Sequence, residues 1–371
     1  MLSLAAPVLA AEAGNGIING QLVNKTSGGS SVADQVVTLK TSLDNSEVGA
    51  ATAKTQNDGR FVFDKLATAP GYSYEITVSY QEGDYSSNAL SFAENETAKS
   101  VELVVYDSTT SSEAITVETA HTVIYAGQDS LEVMEVYLIS NSSDRTYIGS
   151  GEVTALGRRK TLDLPLPAGA IDMQYFGDLM GCCIVTIPEG FSDTMAIQPG
   201  SKEIAYSYKI DQFPGKFTLS RTVANPMASY ALLVAGEGIN VESKELTARG
   251  PVDISGTTFN QFSGADFTPG QVISASLSGK APSSHAVVLW VVLSLAVLAG
   301  AAGLVYMLRR KPLQPVAVQD EPAWGQEGLL VELAHLDDDF EAGKIAEADY
   351  QRRRAEKKAQ LVRLMQDAEQ K

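Results

Sequence analysis

Residues 286–308 read AVVLWVVLSLAVLAGAAGLVYML, a run of 23 positions without a charge, and they constrain the chain more than any other stretch. At ~1.5 Å per helical residue such a run covers roughly 34 Å, enough for a hydrocarbon core of about 30 Å. Trp290 and Tyr306 stand near its two ends, where amphipathic rings favour the headgroup layer. The stretch predicts a transmembrane helix. The alternative, a buried helix of a large soluble domain, seldom runs this long without a charge. Arg309-Arg310-Lys311 follow directly and no comparable basic cluster precedes. Excess positive charge marks the cytoplasmic side, so the expected localisation is the cell membrane, single-pass, with the N-terminus outside and the C-terminus cytoplasmic.

Residues 1–13 (MLSLAAPVLAAEA) are apolar and end in small residues, as the end of a signal peptide does, although a positive n-region is missing. The chain carries a net charge of -17, whereas the part after Leu308 is close to balance, with 11 Lys+Arg against 13 Asp+Glu. The acidity therefore belongs to the predicted outer part. It favours solubility and repels anionic lipid and nucleic acid, which excludes a nucleic-acid-binding function.

Between residues 14 and 106, short β-rich runs alternate with turn residues. Strands are expected at 16–23, 36–41, 59–64, 74–80, 89–92 and 100–106. Asn57-Asp58-Gly59 before Arg60-Phe61-Val62-Phe63 is the sharpest local signal, a turn followed by two aromatics on one face. The spacing predicts an antiparallel sandwich. The motifs GQLVNKT (20–26), VTL (37–39), TQNDGRFVF (55–63) and GYSYEITVSY (71–80) resemble the carboxypeptidase regulatory-like domains. That resemblance implies a transthyretin-like β-sandwich and says little of function, because such modules accompany enzymes, adhesins and receptors.

Residues 107–280 continue the β pattern after a Ser/Thr-rich joint at 107–112 and suit one larger β-sandwich or two small ones packed together. Leu131, Val133, Glu135, Tyr137 and Ile139 share one face, and Met134, Val136 and Leu138 the other. Apolar residues on both faces predict a central strand. Cys182 and Cys183 are the whole cysteine content. Adjacent Cα atoms lie about 3.8 Å apart, below the usual disulfide range of ~4.4–6.8 Å. The pair reads as two small residues of a buried strand, with a vicinal disulfide or a soft-metal site as the alternatives.

No catalytic constellation is expected. His121, His285 and His335 lie far apart in the chain, and neither H-E-x-x-H, G-x-S-x-G nor a phosphate-binding glycine loop occurs. No cofactor and no metal site is assigned, and the chain is expected not to be an enzyme.

In the apolar stretch, Ala296 with Gly300 and Ala299 with Gly303 have the small-xxx-small spacing that lets helices approach. Residues 309–325 read as a linker. Residues 326–369 predict a cytoplasmic helical hairpin with the stripe Leu329, Leu333, Leu336 and Phe340. The runs LLVELAHLDDDFEAGKIAEADY (329–350) and RRAEKKAQL (353–361) resemble the cytoplasmic helical segment of a bacterial c-type cytochrome maturation protein that holds apocytochrome. That similarity implies work near a cytochrome assembly system.

The expected fold class is thus mainly β: a tandem antiparallel β-sandwich ectodomain, one transmembrane helix and a short cytoplasmic α-helical hairpin. The expected function is non-catalytic. The outer domains bind a protein or glycan, while the hairpin docks a protein partner or self-associates. The alternative is an accessory subunit of an envelope assembly or transport machine, such as one for c-type cytochrome maturation.

Overall fold

The computed structural model describes residues 14–279, apart from positions 128, 212, 237 and 255. Seven strands form the first lobe: β1 (Gly16–Asn24), β2 (Val36–Leu43), β3 (Ser46–Lys54), β4 (Arg60–Leu66), β5 (Tyr72–Tyr80), β6 (Gly83–Ser86) and β7 (Ala98–Val105). They make two sheets, ordered β4-β1-β7 and β3-β2-β5-β6. The period of two along each strand sends one set of side chains inward. Ile18 and Leu22 of β1, Phe61 and Phe63 of β4, and Tyr74, Ile76 and Val78 of β5 meet in one core. Burying a phenylalanine of this kind contributes about 1.5–3 kcal/mol. The turn before β4 needs its glycine: Gly59 has φ +83°, and a Cβ there would lie 2.3 Å from the Leu22 carbonyl oxygen.

The second lobe begins with β8 (Ser108–Thr109), β9 (Ile115–Ala126), β10 (Leu131–Asn141), β11 (Thr146–Tyr147), β12 (Leu162–Pro165) and β13 (Ala170–Gly177). It continues through β14 (Ile184–Ile187), β15 (Gly190–Asp193), β16 (Gly200–Ile210), β17 (Lys216–Thr222) and β18 (Met227–Ala235). It ends with β19 (Ile239–Glu242), β20 (Thr247–Ile254), β21 (Thr257–Phe267) and β22 (Val272–Gly279). A seven-stranded sheet, β13-β16-β10-β9-β18-β21-β20, is the backbone of this lobe. Two three-stranded sheets, β12-β15-β14 and β17-β22-β19, supply side chains to the core on one of its faces. One shared core therefore makes this lobe a single large sandwich. β10 is interior, flanked by β9 and β16, so both its faces are apolar: Val133 and Ile139 enter the main core, while Met134 and Val136 join a second cluster.

The stretch 107–112, expected as a joint, includes a short strand: Ser108–Thr109 pairs in parallel with Thr146–Tyr147. Both lobes belong to one compact unit.

The fold class requires a correction. The regular elements among the described residues are strands and a single 3-10 turn, Gly181–Cys183. No described helix is long and apolar enough to cross a membrane. Among the described residues the class supported is mainly β, and the helical parts expected from hydropathy and periodic spacing are not seen there, since those signals report only that a segment is apolar on one or all sides. The segments expected at 1–13, 286–308, 309–325 and 326–369 lie outside the described residues.

Candidate functional site

Three places in residues 14–279 concentrate chemistry or open backbone. The first is a sheet edge. β3 pairs with β2 on one side and, among the described residues, has no strand on the other. Its sequence, SEVGAATAK, carries exposed Glu47 and Lys54 towards its two ends, and the small residues Ala50, Ala51 and Thr52 between them are exposed. An edge of this kind presents unpaired N–H and C=O groups with little to obstruct an approaching strand.

The second is the junction between the lobes, centred on Asp107. Its Oδ1 accepts from Asn24 Nδ2 (2.8 Å), Tyr80 OH (3.1 Å) and Gln81 Nε2 (3.0 Å). Its Oδ2 accepts from the Ser30 amide (3.0 Å) and hydroxyl (3.1 Å). Burial alone raises the carboxyl pKa, and the hydrogen bonds from Asn24, Ser30 and Tyr80 more than reverse this, holding it below the usual aspartate range. Around this hub the Ser27 amide donates to Asp144 Oδ2 (2.9 Å), and Tyr85 OH meets Thr146 Oγ1 (2.7 Å). Arg158 pairs with Asp84, and Arg159 with Glu82.

The third is a cleft of about 1260 Å³ between the outer face of β2, β5 and β6 and the second lobe. Met180, Cys182, Cys183, Met195 and Arg158 line it, with Lys40 and Asp84 on the opposite wall. The cysteines are not in a strand. They close the turn Gly181–Cys183, where Cys183 N–H donates to the Met180 carbonyl (3.0 Å). Cys182 is exposed, Cys183 is buried, and both are free thiols with Sγ atoms 3.0 Å apart. The strand expectation failed because the β-rich run Ile184–Ile187 begins only after them. Arg158 Nη1 lies 3.1 Å from Cys183 Sγ. Burial and the neighbouring Cys182 push the Cys183 thiol up, with the Arg158 charge pulling the other way. Thr194 fastens the facing loop: its amide (3.0 Å) and hydroxyl (2.7 Å) both donate to the Cys183 carbonyl.

Deeper in the second lobe lies a charged cluster that solvent does not reach. Glu135 is fully buried and accepts from Tyr137 (2.7 Å), Tyr206 (2.9 Å) and Tyr208 (2.9 Å), and it pairs with Arg221. Burial, then the Glu135 charge, push the phenols of Tyr206 and Tyr208 well above their ordinary range. Every partner is drawn from a core strand, and the small hollow of about 30 Å³ that Tyr137 and Arg221 help line is about the size of a single water, so this cluster is architectural.

Among the described residues no group of three or more His, Cys, Asp and Glu is placed to hold a metal. His121 sits in β9, its pKa lowered by burial. The expected helix-packing residues Ala296, Ala299, Gly300 and Gly303 lie outside the described residues, as does the stripe Leu329, Leu333, Leu336 and Phe340. The sequence reading did not find β3, the Asp107 hub or the turn that pairs the thiols. Asp107 carried a signal, an acidic residue directly after a strand in a Ser/Thr-rich joint, but its donors come from four separate positions in the first lobe.

No family model matches the chain, and no curated protein matches it. Among solved structures it is similar to a DUF3823 family protein from Parabacteroides merdae ATCC 43184, at 10% identity over 52% of this chain and 80% of that one, with a TM-score of 0.20. It is also similar to the yeast delta-COP-I mu-homology domain, at 8% identity over 47% of this chain and 78% of that one, with a TM-score of 0.15. Neither score is high enough to carry an argument about fold or function. The β-sandwich assignment stands on the sheets themselves.

Proposed function

We propose that this chain is a non-catalytic binding protein that acts outside the cytoplasm, and that its first lobe captures an extended segment of a protein partner by adding it as a strand beside β3. The open β3 edge carries this reading: main-chain groups free on one side, small exposed side chains at Ala50, Ala51 and Thr52, and a firm sandwich behind them. The two-sheet, seven-strand arrangement of this lobe also supports placing it among the carboxypeptidase regulatory-like modules that its motifs resemble.

The test is a comparison of the full-length chain with an Ala50→Lys, Thr52→Lys variant. Charged side chains on an edge obstruct pairing without touching the core. We expect a partner crosslinked to the wild type in membrane extracts to be lost from the variant, with circular dichroism and melting temperature unchanged. Equal capture by both forms sinks the edge reading. Binding to an immobilised glycan, undiminished in the variant, points to a carbohydrate ligand instead.

A further inference from the structure

Four sulfur-bearing residues line the cleft described above. Cys182 and Cys183 present two thiols 3.0 Å apart, and Met180 and Met195 line the same cleft from the two ends of the turn-and-loop pair. Both loops are pinned. Met180 carries the carbonyl that accepts from Cys183 N–H, and Met195 follows Thr194, which is hydrogen-bonded twice to the Cys183 carbonyl. The Met195 amide is itself held by Asp193 Oδ1 at 2.9 Å, and Asp193 is anchored in the core by Lys202 Nζ at 2.7 Å. The backbone that carries these four residues is thus pinned, and Met180 and Cys182 are exposed.

From this arrangement we propose a binding site for a soft monovalent metal ion, Cu(I), with Cys182 and Cys183 as thiolate ligands and Met180 or Met195 as thioether ligand. Thiolate and thioether sulfur select Cu(I) over the harder divalent ions that prefer carboxylate and imidazole. The charge balance fits. Binding one Cu(I) forms two Cu–S bonds and releases two thiol protons to solvent, leaving a bis-thiolate complex of charge -1. The Arg158 guanidinium, 3.1 Å from Cys183 Sγ, lies where it offsets that charge. A vicinal disulfide is the competing fate of the same pair, and it is disfavoured by the short Cα separation of adjacent residues. This site is independent of the β3 edge, which contributes none of its lining.

The experiment is an anaerobic titration of the reduced full-length chain with Cu(I) against bicinchoninate, followed by X-ray absorption spectroscopy at the copper edge. We expect one tightly held Cu(I) per chain with sulfur-only scattering. Cys182→Ser, an exposed substitution that leaves the core untouched, is expected to weaken binding by roughly 100-fold, and Cys183→Ser likewise. The Met180→Leu, Met195→Leu pair is expected to weaken it about tenfold, while Met173→Leu in β13 leaves it unchanged. Three results overturn the site: affinity unchanged by either cysteine variant, nitrogen or oxygen scattering at the metal, or a pair that yields no free thiol after reduction. Copper affinity indifferent to the methionine pair overturns the thioether assignment.

Discussion

Glu135 and Asp107 are both carboxylates withdrawn from solvent, one at the heart of the second lobe and the other where the two lobes meet. Glu135 is balanced by a full countercharge, Arg221, and by three phenols, Tyr137 on its own strand and Tyr206 and Tyr208 on the adjacent β16. Asp107 is satisfied chiefly by neutral donors, an amide, a hydroxyl, a phenol and a backbone N–H, with the Arg145 guanidinium only at 3.9 Å. The contrast follows from where each sits. A strand-bound charge inside a rigid sheet needs a partner fixed at matching depth. A charge at a junction can instead gather donors from strand ends, such as Asn24 and Tyr80, and from loops, such as Ser30, and each of them ties one more segment to the joint.

The largest expected effect breaks the first of these arrangements. Glu135→Ala leaves Arg221 buried without its partner, and we expect a loss of about 3–5 kcal/mol in urea unfolding. A Glu135→Leu, Arg221→Met double variant is expected to recover much of that loss. A double variant as unstable as the sum of its singles would show that the two charges do not act as a pair.

Asp107→Ala strands several donors at once and is expected to cost about 1–3 kcal/mol. It is also expected to split a single unfolding transition into two, one per lobe. The pH dependence has a definite sign. The folded-state pKa lies below the unfolded value of about 3.9, so the stabilisation is complete above that value and is lost as pH falls through the folded pKa. Acid titration of stability should therefore be shallower in Asp107→Asn. An identical acid profile in wild type and variant would remove Asp107 from the junction.

A smaller effect sharpens the comparison by confining damage to one lobe. Gly20 faces the Phe61 ring, and a Cβ there would lie 2.0 Å from it. Gly20→Ala is expected to destabilise by about 1–3 kcal/mol, in the first lobe alone. If the second lobe melts with it, the Asp107 junction couples the lobes more tightly than its hydrogen bonds suggest.

Much of the β architecture was legible where side chains alternate cleanly. The runs around Phe61, Tyr74 and Leu131 are strands, and Glu135 was placed on one face of its strand with Leu131, Val133, Tyr137 and Ile139. Its partners were not legible, because Arg221 and Tyr206 lie far along the chain and no local pattern links them. β3 escaped notice because Gly49-Ala50-Ala51 lacks the branched and aromatic residues that mark strands, its pairing being imposed by β2. β20 and β21 were likewise missed, as the stretch is rich in Gly, Thr and Ser. The cysteine pair was misplaced by one turn, since periodicity does not distinguish the last residues of a loop from the first of a strand.

The parallel pairing of β9 with β18 sets Ala120 beside Tyr230 in the middle of the seven-stranded sheet. Until β18 has emerged from the ribosome, β9 can pair only with β10, and its other edge stays open with apolar side chains on both faces. Synthesis at roughly 5–20 residues per second leaves that edge uncovered for several seconds or more. Folding of this lobe is consequently a late event that must wait for the far end of its own sequence. A chain interrupted before Met227 would be a nucleus for aggregation rather than a shorter version of the same protein.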